Sequence, residues 1–287
     1  MADRPPRKGR QTTRMVVRQA DRITPHLIRI VAAPAEPEDF PRFETPYTDA
    51  YLKVVFPLAG VTYPEPFDMA TAREALPREQ WPVLRTYTLR EVRPETGDLV
   101  LDFVYHGDVG LAGPWAATVV PGTEFHVAGP GGAYAPDPTA DWHLLVGDES
   151  ALPAIAASLR QIPAGVPAHV FAEVGGAEDE LPLETPGELR LRWLHRPDGV
   201  SLQEAVRTAF NSDFPTGRVH AFVHGEASAI KELRRYLVYE RGVPLGDLSI
   251  SGYWKQGVDD EGYRATKKDA RAAEAVEDAQ HGLVEAR

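Results

Sequence analysis

A chain of 287 residues, 43% of them hydrophobic, is long enough for two domains, each with its own core. Its formal net charge of -11 argues against nucleic-acid binding, which needs a basic face. The absence of cysteine excludes thiolate-ligated zinc, cysteine-bound iron–sulfur clusters, disulfides and thiol nucleophiles, so any redox chemistry falls to an organic cofactor or another metal.

No apolar run approaches bilayer length, and the start Met1-Ala-Asp-Arg-Pro-Pro-Arg-Lys-Gly-Arg10 lacks the apolar stretch of a signal peptide. The expectation is a cytoplasmic protein without membrane insertion, acting as a monomer. Residues 1–14, basic and Pro-rich, read as a loose arm. From 15 to 138 short strands alternate with Pro- and Gly-rich turns: Met15–Gln19, His26–Val31, Tyr51–Phe56, Arg85–Val92, Leu99–His106 and Glu124–Ala128, with Leu58–Pro82 as a long loop. This spacing predicts an antiparallel β-barrel.

Beyond a linker over Ala133–Ala140 the pattern changes, and 139–258 reads as an α/β domain with a parallel sheet. Strands are expected at Trp142–Val146, His169–Val174, Leu189–Leu194, Val219–Val223 and Leu248–Ser251, and helices at Ala151–Gln161, Ser201–Phe210 and Ala227–Arg241. The tail 259–287, alanine-rich and of mixed charge, is compatible with a helix.

The segment Arg85-Thr-Tyr-Thr-Leu-Arg90 carries the strongest chemical signal. Alternation on a strand puts Arg85 and Tyr87 on one face, where a guanidinium can pair with a phosphate and a phenol ring can lie against an aromatic cofactor, and Thr88 adds a hydroxyl. The same residues are also ordinary strand composition. Asp102-Phe-Val-Tyr-His-Gly-Asp-Val-Gly110 ends a strand in a glycine-bearing loop, and Pro114 suits the first turn of a short helix, so a cofactor with two phosphates could be held between Arg85 and that helix. A buried hairpin end with Trp115 in the core accounts for this segment equally well.

In the second half, Gly147-Asp-Glu-Ser150 follows the first parallel strand and opens a helix, with Ser150 as a plausible N-cap. His224-Gly-Glu226 repeats the arrangement. Neither turn has the full dinucleotide fingerprint, and Ser150 lacks the glycines of a hydrolase elbow. Two such turns in one sheet nonetheless suggest a nucleotide crevice at the carboxyl ends of the strands. Glu173 there suits a ribose diol, whereas Arg192 and Arg196 suit a 2′-phosphate. His220 and His224 share a strand face without a third ligand nearby in sequence, so they read as hydrogen-bonded core or loop residues and no metal site is expected. Lys53 and Lys255 are isolated cations near ligand-facing edges, where a lysine also simply reaches water.

In this order the segments resemble the siderophore-interacting protein family, flavin-dependent ferric-siderophore reductases related to ferredoxin reductases. The matching residues are Arg85-Thr-Tyr-Thr-Leu-Arg90, Asp102-Phe-Val-Tyr-His-Gly107, Gly110-Leu-Ala112 with Trp115-Ala116, Gly147-Asp-Glu-Ser-Ala-Leu-Pro-Ala-Ile155, Gly225-Glu-Ala227 and Gly252-Tyr-Trp-Lys-Gln-Gly257. Arg4-Pro-Pro-Arg7 and the Lys53 strand fit as well. The resemblance implies an FAD-binding barrel followed by a nicotinamide-nucleotide domain. It places Arg85, Tyr87, Thr88, Asp102, Val104, His106, Gly110 and Ala112 at FAD, and Gly147, Asp148, Glu149, Ser150, Gly225 and Glu226 at the nucleotide. Lys53 and Lys255 fall where the family places cations for an anionic ferric siderophore.

The implied reaction is reduction of a ferric siderophore by NADPH, or by NADH, through FAD, with ferrous iron released in the cytoplasm. No side chain is needed as acid, base, nucleophile or metal ligand, since the flavin carries the chemistry. A general flavin oxidoreductase with another acceptor, or a flavin- or chelate-binding carrier without turnover, are the alternatives. Three departures from the family are Leu111 in place of a frequent proline, Ser150 in place of threonine, and Lys255 in place of arginine, which keeps the charge but loses the planar fork.

Overall fold

Six strands close into an antiparallel barrel in the order β1-β2-β5-β4-β3-β6, formed by Thr12–Thr24, Leu27–Pro34, Tyr51–Phe56, Val83–Arg93, Asp98–Val104 and Glu124–Gly131 for β1 to β6. The computed structural model describes residues 12–283, the side chain of Lys268 excepted, so Arg4-Pro-Pro-Arg7 and the last four tail residues lie outside the described residues. Alternation builds the barrel core: Leu52 and Val54 of β3, and Leu99, Leu101 and Phe103 of β5, point inward and are fully buried. Phe40 and Phe43 from a short 3-10 turn and Ala112 and Ala116 from helix α2 (Ala112–Thr118) join the same core.

Five parallel strands, β7 to β11, form the second sheet in the order β11-β10-β7-β8-β9. They are Trp142–Asp148, Pro167–Val174, Glu188–His195, Val219–Glu226 and Leu248–Trp254. Helices α3 (Leu152–Leu159), α4 (Leu202–Ala209) and α5 (Ala227–Arg235) alternate with them. Ser201 caps α4 by accepting from the N–H of Glu204, and Glu226 caps α5 by accepting from Ser228 and Ala229. Both expected layers are therefore present.

Several boundaries differ from the sequence reading, each for a physical reason. Thr12–Arg14, placed in the loose arm, belong to β1, where they pair with Val127, Ala128 and His126 of β6. The loop over Leu58–Pro82 contains helix α1 (Met69–Ala75), whose cap Asp68 accepts from the N–H groups of Ala70 and Thr71. Strand β5 stops at Val104, which leaves Tyr105 and His106 in the following loop. The helix expected to run to Arg241 is α-helical to Arg235 and continues as a π-helical turn over Tyr236–Glu240. Within the tail, Asp260–Gln280 forms helix α6, capped by Asp259.

The chain divides into two compact units. The first takes in the described residues up to Ala135 together with Ala156–Gln161 and Glu178–Leu183, and the second holds Pro136–Ile155, Ile162–Ala177 and the remainder from Glu184. The two later segments of the first unit are tied to the barrel side by polar contacts. The hydroxyls of Ser158 and Thr48 are bonded at 2.8 Å, and Asp179 accepts from the main-chain N–H of His26 at 3.1 Å while pairing with its ring at 2.7 Å.

Candidate functional site

Arg85 and Tyr87 lie opposite Val54 and Leu52 in the β3–β4 register, so they share a face, as strand alternation requires. The partly buried Tyr87 ring stacks on Phe103 at 4.0 Å between centroids and 29° between planes, and Phe103 in turn meets Trp115 of α2 at 5.5 Å. Through Phe103 the motif strand and α2 are thus neighbours at one end of the barrel. Helix α2 begins close to β5: a Cβ on Gly113 would stand 3.2 Å from the Val104 carbonyl oxygen. Gly110, with φ of 92°, allows the turn that leads into it, and Leu111 supplies no side-chain cap. His106 is exposed, Val104 half-buried and Thr88 buried.

Asp102, expected at FAD, is engaged by arginines on the outer face of the barrel. Leu101 and Phe103 point inward, which turns Asp102 to the outer face directly opposite Arg29 of β2. Both its oxygens accept from Arg29, at 2.7 and 2.8 Å, and Arg90 lies 3.5 Å away. With its side chain 1% exposed and facing two arginines, this carboxylate joins β2 and β5 on the outer face of the barrel. A bulge between Leu89 and Glu91 brings Arg90 and Glu91 to that same outer face. Burial pushes the Arg90 guanidinium below its ordinary range, opposed by Asp102.

At the carboxyl ends of the parallel strands the expected nucleotide residues are held by one another. Asp148 accepts from the N–H and hydroxyl of Ser150, from the N–H of Glu226 and from the indole N–H of Trp254. One buried carboxylate therefore ties together the ends of β7, β10 and β11. Burial pushes its carboxyl up from the ordinary carboxylate range, and these donors oppose that shift. Gly225, with φ of 148°, makes room for it, since a Cβ there would stand 2.7 Å from Asp148 Oδ2. A Cβ on Gly147 would meet Ala151 and the His224 carbonyl oxygen at 2.5 and 2.6 Å, so that glycine serves the protein's own packing. Ser150 is not the helix cap expected of it: α3 begins at Leu152, and the hydroxyl of Ser150 donates to Asp148.

Glu149, 2% exposed, receives both terminal nitrogens of Arg196, whose Nε donates to Glu173 at 3.1 Å. The two residues weighed as alternative ribose and phosphate contacts are thus paired with each other. Arg192 is exposed, two residues earlier on the β9 side of Glu173's partner Leu194. His224 is a core residue as expected, stacked on Phe222 and bonded to Ser249 at 3.0 Å, with burial bringing its pKa down to about 3. Lys53 is half-buried in the first unit, opposite Thr86, and Lys255 is exposed in the second. Among the described residues no group of three or more potential ligands is placed to hold a metal ion, and no helix is long and apolar enough to cross a membrane.

Comparison with known proteins agrees with this two-unit arrangement. Residues 16–134 match the family model of the siderophore-interacting FAD-binding domain, and 140–257 match that of the siderophore-interacting protein. The chain belongs to the siderophore-interacting protein family. An uncharacterized protein of Mycobacterium tuberculosis is 40% identical over 88% of this chain and 93% of its own length. The ferric vibriobactin reductase ViuB of Vibrio cholerae is 31% identical, with 79% of this chain and 84% of the relative aligned. The crystal structure of a siderophore utilization protein from T. fusca superposes with a TM-score of 0.72 at 31% identity, covering 87% of this chain and 94% of the other.

The barrel residues fit FAD by their chemistry. Arg85 offers a guanidinium for a phosphate, Tyr87 a ring already seated on Phe103, and α2 a start close to the end of β5 with no side-chain cap. Sequence reasoning missed Phe103 as the support of Tyr87, Arg29 as the partner of Asp102, and Trp254 as a donor to Asp148. The inward alternation of Leu101 and Phe103 was a signal for the first two. Nothing local announces the third, which stands 106 positions away.

Proposed function

We propose that this protein is a flavin-dependent reductase that passes electrons from a reduced nicotinamide nucleotide to the ferric iron of a siderophore, releasing ferrous iron in the cytoplasm. The observation that carries the reading is Tyr87 stacked on Phe103, with Arg85 on the same strand face, in a domain that matches the FAD-binding model of the family. The name of the ViuB relative supplies the acceptor class. FAD, when bound, accepts two electrons as a hydride and returns them singly, which ferric iron requires.

In this reading Arg85 neutralises a phosphate of the dinucleotide and Tyr87 orients the ring system, held in its rotamer by Phe103. Val104, His106 and Gly110 lie along the chain between them and α2, and Ala112 opens that helix. In the second unit Ser150 and Glu226 flank the Asp148 knot, which fixes the turns that meet the nucleotide; Gly147 and Gly225 keep those turns closed. Lys53 and Lys255 attract the anionic chelate through local charge, against a negative total. No side chain transfers a proton or ligates iron, because reduction itself weakens the hold of hard oxygen ligands on the metal.

Anaerobic stopped-flow absorbance tests the reading. Reduced nicotinamide nucleotides should bleach the bound flavin, and a ferric siderophore should restore its colour with stoichiometric capture of ferrous iron by a chromophoric chelator. Bleaching without iron release assigns a different acceptor, and a flavin that stays oxidised makes the protein a carrier. Changing Lys53 and Lys255 together to alanine should raise the half-saturation concentration about fivefold to tenfold for a highly charged catecholate chelate and much less for a neutral hydroxamate one.

A further inference from the structure

We infer that the Glu149–Arg196–Glu173 cluster makes the second unit select a nicotinamide nucleotide with a free ribose diol over one carrying a 2′-phosphate. The inference rests on the nucleotide-binding role proposed above and names which nucleotide that role uses.

Glu173 sits one residue before the end of β8 and opposite Asp148 in the β7–β8 register, so Glu149 and Glu173 occupy adjoining strand ends. Arg196 follows directly after β9, the neighbour of β8. These are the carboxyl ends of a parallel sheet, where ligands of such sheets bind. A guanidinium in that position suits a 2′-phosphate when its fork is open, because the phosphate only accepts hydrogen bonds. Here Nη1 and Nη2 donate to the two oxygens of Glu149, and Nε donates to Glu173.

The fork is not easily released. The Glu149 side chain is 3% exposed, so withdrawing Arg196 toward a phosphate would leave a carboxylate buried without its counter-ion. Two carboxylates around one guanidinium also leave the cluster with a formal charge of about -1, and a phosphate monoester near neutral pH brings about -1.5 to -2 more. A ribose diol meets the opposite situation. Its hydroxyls donate, and the Arg196 contact uses Oε1 of Glu173, so Oε2 can accept from the diol. Arg192 does not replace the occupied arginine, since it lies opposite Phe171, two residues back from Glu173 along β8.

The experiment is calorimetric titration of the FAD-loaded protein with NAD⁺ and with NADP⁺, accompanied by flavin bleaching with NADH and NADPH. Binding of NAD⁺ is expected to be tighter by about tenfold or more. Glu173→Gln removes one negative charge and replaces the carboxylate acceptor for the diol with a neutral amide, so it should weaken NAD⁺ and strengthen NADP⁺, narrowing or inverting the ratio. Unchanged far-ultraviolet circular dichroism and flavin content separate this effect from unfolding. Arg196→Ala supplies the second arm: it should not weaken NADP⁺ selectively. Tighter NADP⁺ binding in the parent, lost in Arg196→Ala, would make Arg196 a phosphate anchor and overturn the inference while leaving the nucleotide role intact. Failure of both nucleotides to bind or bleach would instead sink the nucleotide role itself.

Discussion

The barrel and the parallel sheet use the same kinds of polar residue to different ends. In the barrel, the motif residues Arg85 and Tyr87 need only strand alternation to share a face, and their support comes from a near neighbour across one strand pair. In the sheet, Asp148, Glu149, Glu173, Arg196 and Glu226 come from four different strand ends and bond chiefly to one another or to the main chain. The barrel motif is a presentation device. The sheet motif is first a set of internal ties, and its ligand chemistry is whatever those ties leave available.

The strongest way to break this contrast is to remove the tie. Asp148→Ala leaves the N–H groups of Ser150 and Glu226 and the indole of Trp254 without their acceptor, and should destabilise the second unit by about 3–5 kcal/mol. Hydrogen exchange would show it as lost protection at the ends of β7, β10 and β11 with the barrel strands nearly unaffected; uniform loss across both units would refute a local tie.

Acid should act on the same unit next. His143 is fully buried and neither ring nitrogen has a partner among the described residues, and burial lowers its pKa to about 4, with His224 at about 3. Above pH 6.5 both folded and unfolded forms are neutral and nothing is lost. Below it the unfolded chain takes up protons that the folded rings refuse, so stability falls as pH drops toward 4 for His143 and 3 for His224. At pH 5 the loss is about 2 kcal/mol for each ring. Thermal unfolding of His143→Leu at pH 7 and pH 5 should show the parent's acid sensitivity reduced by about 2 kcal/mol at pH 5, and an identical pH profile would count against it.

Arg85→Ala sharpens the barrel side. It should lower FAD affinity by roughly 1.5–3 kcal/mol, tenfold or more, with the unfolding midpoint of the apoprotein little changed. Retention of FAD at the parent's affinity in a dilution titration would put the phosphate elsewhere. The smallest effect belongs to a pair outside both sites: Arg207 and Glu240, joined at 2.6 Å but 40% and 51% exposed, should contribute about 0.2–1 kcal/mol. Arg207→Ala measured in urea at low and high salt would reveal any larger role.

How far these features were legible in the sequence follows from how local their causes are. The strand–turn rhythm before residue 138 and the strand–helix rhythm after it fix the two layers, because periodicities of two and of 3.6 are local. Helix α1 was missed because Asp68 caps a short stretch flanked by Pro66 and Pro77, where the loop signal dominates. The partners of Asp102, Arg29 and Arg90, are brought near by register, which a motif does not display. The turns after β7 and β10 are visible in the sequence as turns, while the pairing of Glu149 with Arg196 spans 47 positions and exists only in the folded sheet.

The two late segments of the first unit bear on how the protein is made. The barrel's last strand ends at Gly131, yet buried Thr48 shares its hydroxyl with Ser158 as well as Tyr134, and the His26 N–H is shared by Thr24 and Asp179. On a ribosome the barrel strands are all synthesised well before Ser158 and Asp179 emerge. Those last contacts of the nascent barrel therefore form only after residue 183 has cleared the exit tunnel, by which time β7 and β8 of the second unit are also out.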